Sequence, residues 1–247
     1  MLDKTWVGAV SYLNTKPLIY GFEQGAMTDD VHLILDYPSN LAKRMNKGEL
    51  DVALLPIAAI ADLERPFIFS NYCIGADGAV ASVCLFSEVP LEQIETIYLD
   101  YQSRSSVALL KVLLKNHWKK EVELIQADAD YITKIKGKSA GLIIGDRAFE
   151  QLKNFEYIYD LAAEWKEFTG LPFVFAAWVA TKNLSEDFVR QFNEACAFGF
   201  KHLQEIIATQ RYQHYNLERY YTKNISYQLN DEKHKAFELF KQYISKL

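Results

Sequence analysis

Short runs that are apolar on both faces alternate with amphipathic segments through the first two thirds of the chain, and this ordering restricts the fold more than any other feature. A strand with apolar side chains on both faces must be covered on both, and the alternating helices supply the cover, so the pattern predicts an α/β architecture with parallel strands. Strands are expected at 5–10, 31–36, 51–55, 67–72, 80–86, 96–100, 122–126, 141–144, 156–159 and 173–180. Helices are expected from about 17, at 40–47, 57–63, 103–115, 129–136, 146–152 and 161–168. Ser39 suits the N-cap of 40–47, Gly48 fits just past its end, Pro56 opens 57–63 and Asp146 caps the helix that follows it. From Ser185, itself a cap, the chain reads as helical to its end.

Residues 88–175 form an α/β block flanked by two runs of similar character. The expected division is one lobe from 1–87 with 176–247 and a second, inserted lobe from 88–175. Apolar, strand-like crossings near 82–88 and 173–181 would join them as a hinge. Two α/β lobes on such a hinge enclose a cleft where strand C-termini and helix N-termini converge. This is a type II periplasmic-binding-protein-like fold with a ligand cleft between the lobes.

At 247 residues, half of them apolar, the chain needs neither disulfide nor metal to stay folded. Its 27 basic and 32 acidic residues give a net charge of −5, which argues against a nucleic-acid footprint but leaves room for a small anion held by local positive potential. Cys73, Cys84 and Cys196 lie outside any CxxC and read as reduced thiols. The longest apolar stretch, 171–181, is too short for a bilayer and contains Pro172; no basic and apolar leader precedes the first strand. The expectation is a cytoplasmic protein with no membrane or nucleic-acid partner, monomeric or weakly dimeric.

Four turns carry groups suited to binding. Ser11, Asn14 and Thr15 follow the first strand; Asn offers a donor and an acceptor together, whereas capping of the next helix would use the same residues, and the two readings stand level. Ser103, Arg104, Ser105 and Ser106 open a long helix. Free N–H groups and hydroxyls at its positive end make an anion site without a cation, and three hydroxyls exceed what a cap requires. Arg104 either supports that site or faces solvent. In 75–82, small residues allow close backbone approach and Ser82 begins a crossing strand. Gly145, before Asp146, leaves space at a further helix start. No GxGxxG, Walker A or GxSxG occurs, and none of the five histidines has metal-ligand spacing, so no cofactor or metal is expected. Tyr212, Tyr215, Tyr220 and Tyr221 read as helix packing.

These turns resemble those of the chorismate dehydratase family. The resemblance runs through Val10-Ser11-Tyr12-Leu13-Asn14-Thr15 with Pro17-Leu18, Pro38-Ser39, Gly48-Glu49-Leu50-Asp51-Val52-Ala53-Leu54 with Pro56, and Cys73-Ile74-Gly75 with Ser82-Val83. It continues through Ser103-Arg104-Ser105-Ser106, Ile144-Gly145-Asp146 and Gly170-Leu171-Pro172-Phe173, in collinear order over about 7–180. Departures fall at Tyr101-Gln102, Ser105, Ala76, Ala79 and Ala81. The resemblance implies the two-lobed fold and a cofactor-free loss of water from chorismate, giving 3-[(1-carboxyvinyl)oxy]benzoate in the futalosine route to menaquinone. It also implies that Asn14 stands at the reacting centre and that Ser82 and the 103–106 turn hold substrate carboxylates.

Two other readings compete. One is a cytoplasmic binding or sensing protein that closes on a small carboxylate without changing it, which fold alone does not separate from an enzyme. The other is an enzyme like 1,4-dihydroxy-6-naphthoate synthase. That family has a different first turn and a functional histidine, and no histidine here is well placed.

Overall fold

The computed structural model describes residues 4–247. The chain runs β1 (Thr5–Ala9), α1 (Lys16–Glu23), β2 (Val31–Leu35), α2 (Pro38–Asn46), β3 (Val52–Pro56), α3 (Ile57–Ile60) and β4 (Phe67–Ala76). It continues through β5 (Val83–Ser87), β6 (Thr96–Leu99), α4 (Arg104–Asn116), β7 (Glu123–Gln126), β8 (Ser139–Ile144), α5 (Asp146–Gln151), β9 (Tyr157–Asp160) and α6 (Leu161–Thr169). It closes with β10 (Phe173–Ala180), α7 (Glu186–Lys201), α8 (Leu203–Thr209), α9 (Leu217–Arg219), β11 (Ser226–Gln228) and α10 (Asp231–Ile244).

Two sheets result. The first has the order β11-β4-β10-β3-β1-β2 and the second β7-β6-β8-β5-β9. Parallel pairing holds for β1 with β2 and β3, and for β6 with β7 and β8. Elsewhere the sheets are antiparallel: β10 returns between β3 and β4, and β5 lies against β8 and β9. Uniform parallel pairing, expected from the alternation, is therefore corrected to two mixed sheets. Each return strand leaves one lobe to complete the other, and its direction is set by that traffic rather than by its own apolar sequence.

The crossings are short. Val83–Ser87 is an interior strand of the second sheet and Phe173–Ala180 an interior strand of the first, so the links are 77–82 and 170–172. In the first link Ala81 takes a left-handed backbone (φ 64°) and donates its N–H to Asp160 Oδ2 at 2.6 Å, so a buried carboxylate holds the strained turn. At the second, Trp165 of α6 donates to Pro172 O and packs edge-on against Phe173 and Phe240.

Local signals decide most helix ends. Ser185 caps α7 by accepting from Phe188 N–H. Gly48 closes the chain after α2 with φ 70°. Ser39 does not cap α2: Pro38 occupies the first turn, and Asp36 Oδ1 accepts from Tyr37 N–H and Asn40 Nδ2 instead. Residues 129–136 make only a 3-10 turn at Tyr131–Lys134. The all-helical run expected from Ser185 to the end is interrupted by β11, which pairs with β4.

Buried Lys233 explains how α10 is tied to that edge: its ammonium donates to Ser226 O, Ser226 Oγ and Gln228 O at 2.6–2.8 Å, using all three N–H groups. Gly75, expected to admit a ligand, instead admits Phe173 O and Lys233, which a Cβ would meet at 2.7 and 3.1 Å. All three cysteines are buried and free.

Helices α1 and α7 touch backbone to backbone. A Cβ on Gly199 would lie 1.8 Å from Pro17 O, and one on Gly21 2.1 Å from Ala195 O. Since α1 begins at the Asn14 turn, this contact fixes that turn. Gly199→Ala should therefore lower stability by roughly 2–3 kcal/mol, the gain in helix propensity being smaller than the overpacking. A denaturation midpoint equal to wild type would show that the helices separate freely.

Candidate active site

The turns that follow strands of both sheets face one another across a cavity of about 70 Å³. Asn14, Ser82, Ser103, Ser105, Ser106 and Gly145 line it, with Tyr12, Gln102 and Phe175. Among the described residues, the lining has no charged side chain and no histidine. The space is well below the roughly 300–1,000 Å³ of small-molecule sites, and it adjoins an outer chamber of about 600 Å³ that shares Tyr12, Pro38, Pro56 and Gln102 and reaches Lys43 and Arg104. A larger groove of about 1350 Å³ outside α4 and α10 is lined by Lys111, Lys115, Lys119, Lys120 and Lys241. It is open to solvent and, apart from Ser105's neighbour Arg104, shares no residue with the serine and asparagine turns.

At the serine turn, Ser103 caps α4: its Oγ accepts from Ser106 N–H at 3.1 Å and donates to Ser106 Oγ at 2.9 Å. The N–H groups of Arg104 and Ser105 precede the first intrahelical bond and stand at the positive helix end. Ser105 Oγ accepts from Ala58 N–H of α3 at 3.0 Å, bridging the lobes. Arg104 points away to Asp62, at 2.6 Å, so it clasps the lobes at the mouth and does not line the cavity. Fully buried Asp100 sets the turn: Oδ1 accepts from Gln102 N–H, and Oδ2 from Arg147 and Tyr131.

At the first turn, Asn14 lines the cavity while Ser11 is exposed outside it. Thr15 is fully buried behind Asn14, with Oγ1 3.4 Å from Asn14 Oδ1. Neither Asn14 nor Thr15 caps α1 through its side chain. The site residues thus divide: Asn14, Ser82, Ser103, Ser105, Ser106 and Gly145 converge, whereas Ser11, Thr15 and Arg104 do not reach the cavity.

Two of the four tyrosines read from sequence as packing, Tyr212 and Tyr220, hydrogen-bond onto these turns, as does Tyr227, which lies outside that cluster. Tyr227 donates to Asn14 O at 2.9 Å, Tyr220 lies 2.9 Å from Ser82 Oγ, and Tyr212 donates to Asp146 O at 2.7 Å. Asn224 Nδ2 donates to Ala79 O in the first link. Burial pushes the Tyr220 phenol well above its ordinary value, keeping it neutral. The four closely spaced tyrosines were the available signal.

Asp146 is the first residue of α5 and not its cap; Gly145 holds the cap position with φ 66°. Its half-buried carboxyl is pushed up to about 6 by burial, against the pull of the Leu13 N–H and with Glu150 adding to the rise. Away from the cleft, His117 Nε2 lies 3.3 Å from Glu164 Oε2, which also accepts from Trp118 Nε1. Glu167 brings a third ligand atom within 4.8 Å. That grouping joins α4 to α6, residues too far apart in sequence to show as a spacing.

The architecture is that of the periplasmic-binding-protein-like class. A protein from Archaeoglobus fulgidus superposes with a TM-score of 0.75 at 16% identity, covering 98% of this chain and 97% of that one. The periplasmic aliphatic sulphonate binding protein SsuA from Escherichia coli gives 0.69 at 14%, covering 100% and 92%. Within that class the chain belongs to the menaquinone biosynthesis family, whose profile matches residues 5–246. It is 28% identical over 192 residues to the chorismate dehydratase of Campylobacter jejuni subsp. jejuni, covering 75% of this chain and 72% of that one. It is 24% identical over 249 residues to the chorismate dehydratase of Thermus thermophilus, covering 91% and 89%. The 1,4-dihydroxy-6-naphtoate synthase of Thermus thermophilus is 25% identical over 198 residues, covering 77% and 72%.

The Asp146 carboxyl gives a signed pH effect. Its folded value exceeds the ordinary 3.8, so the fold favours the protonated form. Its stabilising contribution is full below about pH 3.8 and is lost as pH rises to about 6. Asp146→Asn, which keeps an acceptor for Leu13, should melt several degrees above wild type near pH 7.5, with the advantage fading below about pH 4. An equal difference at both pH values would exclude Asp146 as its source.

Proposed function

We propose that this chain is a carbon–oxygen lyase that dehydrates chorismate to 3-[(1-carboxyvinyl)oxy]benzoate without a cofactor. The observation that carries the reading is an uncharged cavity that gathers Asn14, Ser82 and the serine turn from separate segments of a menaquinone biosynthesis family chain. Two carboxylates on the substrate require donors, and helix N–H groups with hydroxyls provide them without a cation.

In the reaction the ring hydroxyl leaves as water, and a proton leaves the neighbouring carbon that bears the enolpyruvyl ether. The C–H electron pair forms the new ring double bond as the C–O bond breaks. Aromatisation supplies much of the driving force, so the protein chiefly has to orient the ring and exclude water. Asn14 stands at the reacting centre, its amide able to donate to the departing hydroxyl. Ser82 and the 103–106 turn hold the carboxylates. Among the described residues the cavity lining offers no carboxylate or imidazole as base; the substrate's own enolpyruvyl carboxylate takes the proton and hands it to the departing hydroxyl, which leaves as water.

Entry requires the lobes to part at 77–82 and 170–172, breaking the Arg104–Asp62 clasp and the Ser105–Ala58 hydrogen bond. The sister synthase reading is disfavoured by the absence of histidine among the described lining residues.

Incubation with chorismate, followed by chromatography, should show its conversion to the substituted benzoate; a protein that only binds leaves chorismate unchanged. Asn14→Ala should lower kcat roughly 100–1,000-fold, as loss of one aligned donor does elsewhere, with chorismate affinity measured by calorimetry nearly unchanged. Turnover close to wild type would remove Asn14 from the reacting centre.

A further inference from the structure

We propose that Tyr220 is a positioning residue of the cleft, whose buried hydroxyl fixes the direction in which Ser82 donates to the ligand. The inference rests on the dehydratase reading for its kinetic test, but its geometry stands apart from it. Tyr220 is fully buried and Ser82 is 2% exposed; their oxygens lie 2.9 Å apart. Asn14, on a third segment, lines the same cavity as Ser82. The ring is held edge-on by Phe149, with centroids 4.8 Å apart, and leans on Tyr221 at 5.6 Å.

The proton order follows from donor strength. A phenol is a stronger donor than an alcohol, and the Tyr220 hydroxyl donates to Ser82 Oγ. With that lone pair occupied, Ser82 directs its own proton elsewhere, and Ser82 lines the cavity. A buried chain of this kind strengthens each successive donor. Burial keeps the phenol protonated, so the arrangement persists across the working pH range. Tyr220 also opens a π-helical turn, Tyr220–Asn224, the kind of local irregularity that re-aims a side chain.

A merely structural tyrosine would tolerate loss of its hydroxyl while the ring remains. The test compares Tyr220→Phe, Ser82→Ala and the double variant. Tyr220→Phe should melt close to wild type yet lose roughly 10- to 100-fold in kcat/KM for chorismate, the scale of one buried hydrogen bond. In the Ser82→Ala background the same change should cost little more, because the two residues act as one unit. Wild-type kinetics for Tyr220→Phe, or its full cost retained on top of Ser82→Ala, overturns the proposal. Crystal structures of wild type and Tyr220→Phe provide a readout independent of turnover. Ser82 Oγ should leave its wild-type rotamer in the variant, and an unchanged Ser82 overturns the proposal even if wild type leaves chorismate intact. Failure of wild type to consume chorismate, with Ser82 displaced in the variant, would instead reject the reaction and keep the role of Tyr220.

Discussion

The antiparallel rung at which Phe173 pairs with Ala76 governs the molecule. It is the end of β10 where the chain returns from the second lobe and the end of β4 where it departs. Both links therefore emerge side by side from one end of the first sheet. Two adjacent links between rigid sheets are the geometry of a hinge, and the surfaces they bring together are the ends that carry Asn14, Ser82 and the serine turn. Displace that rung by one residue and the side chains of β10 would exchange faces, taking Trp178 and Phe173 away from the neighbours that enclose them.

Neutral groups line the cleft. A lysine or arginine sealed inside would carry a large desolvation penalty whenever the cleft closed empty. Hydroxyls and helix N–H groups bear less of it and still offer aligned donors. The cations nearest the cleft, Arg104 and Lys43, stand at its outer chamber, and Arg147 is bound to buried Asp100. Charged groups thus stand around the entrance and behind the serine turn, and none of the described residues lining the interior is charged.

Much of this was legible in the residues. Phe173–Ala180 is a strand with the bounds its apolar run implied, and the Ser103 cap and the N-terminal end of α4 follow from side-chain chemistry at one position. Strand direction was not legible, because β10 has the composition of a buried parallel strand and only its partner fixes its sense. β11 escaped because three residues carry too little periodicity to stand against the helices around them. Ser11, Thr15 and Arg104 sit in the right motifs, but their side chains turn outward, backward and across to Asp62. The tyrosine segment was missed for the opposite reason: aromatic rings pack well anywhere, and the hydrogen bonds that give Tyr220 and Tyr227 their significance join positions 138 and 213 residues apart.

The cleft draws on both extremes of the chain. Tyr227 reaches the backbone of Asn14 across most of the polypeptide, and β11 borders a sheet whose first strand begins at Thr5. During synthesis the second lobe can finish its own sheet as soon as β9 emerges, while the first waits for β10 and then for the tyrosine segment. A nascent chain therefore exposes an unfinished edge beside β4 until nearly its last residues leave the ribosome. An early stop codon would yield a polypeptide with a well-formed inserted lobe and no assembled cleft.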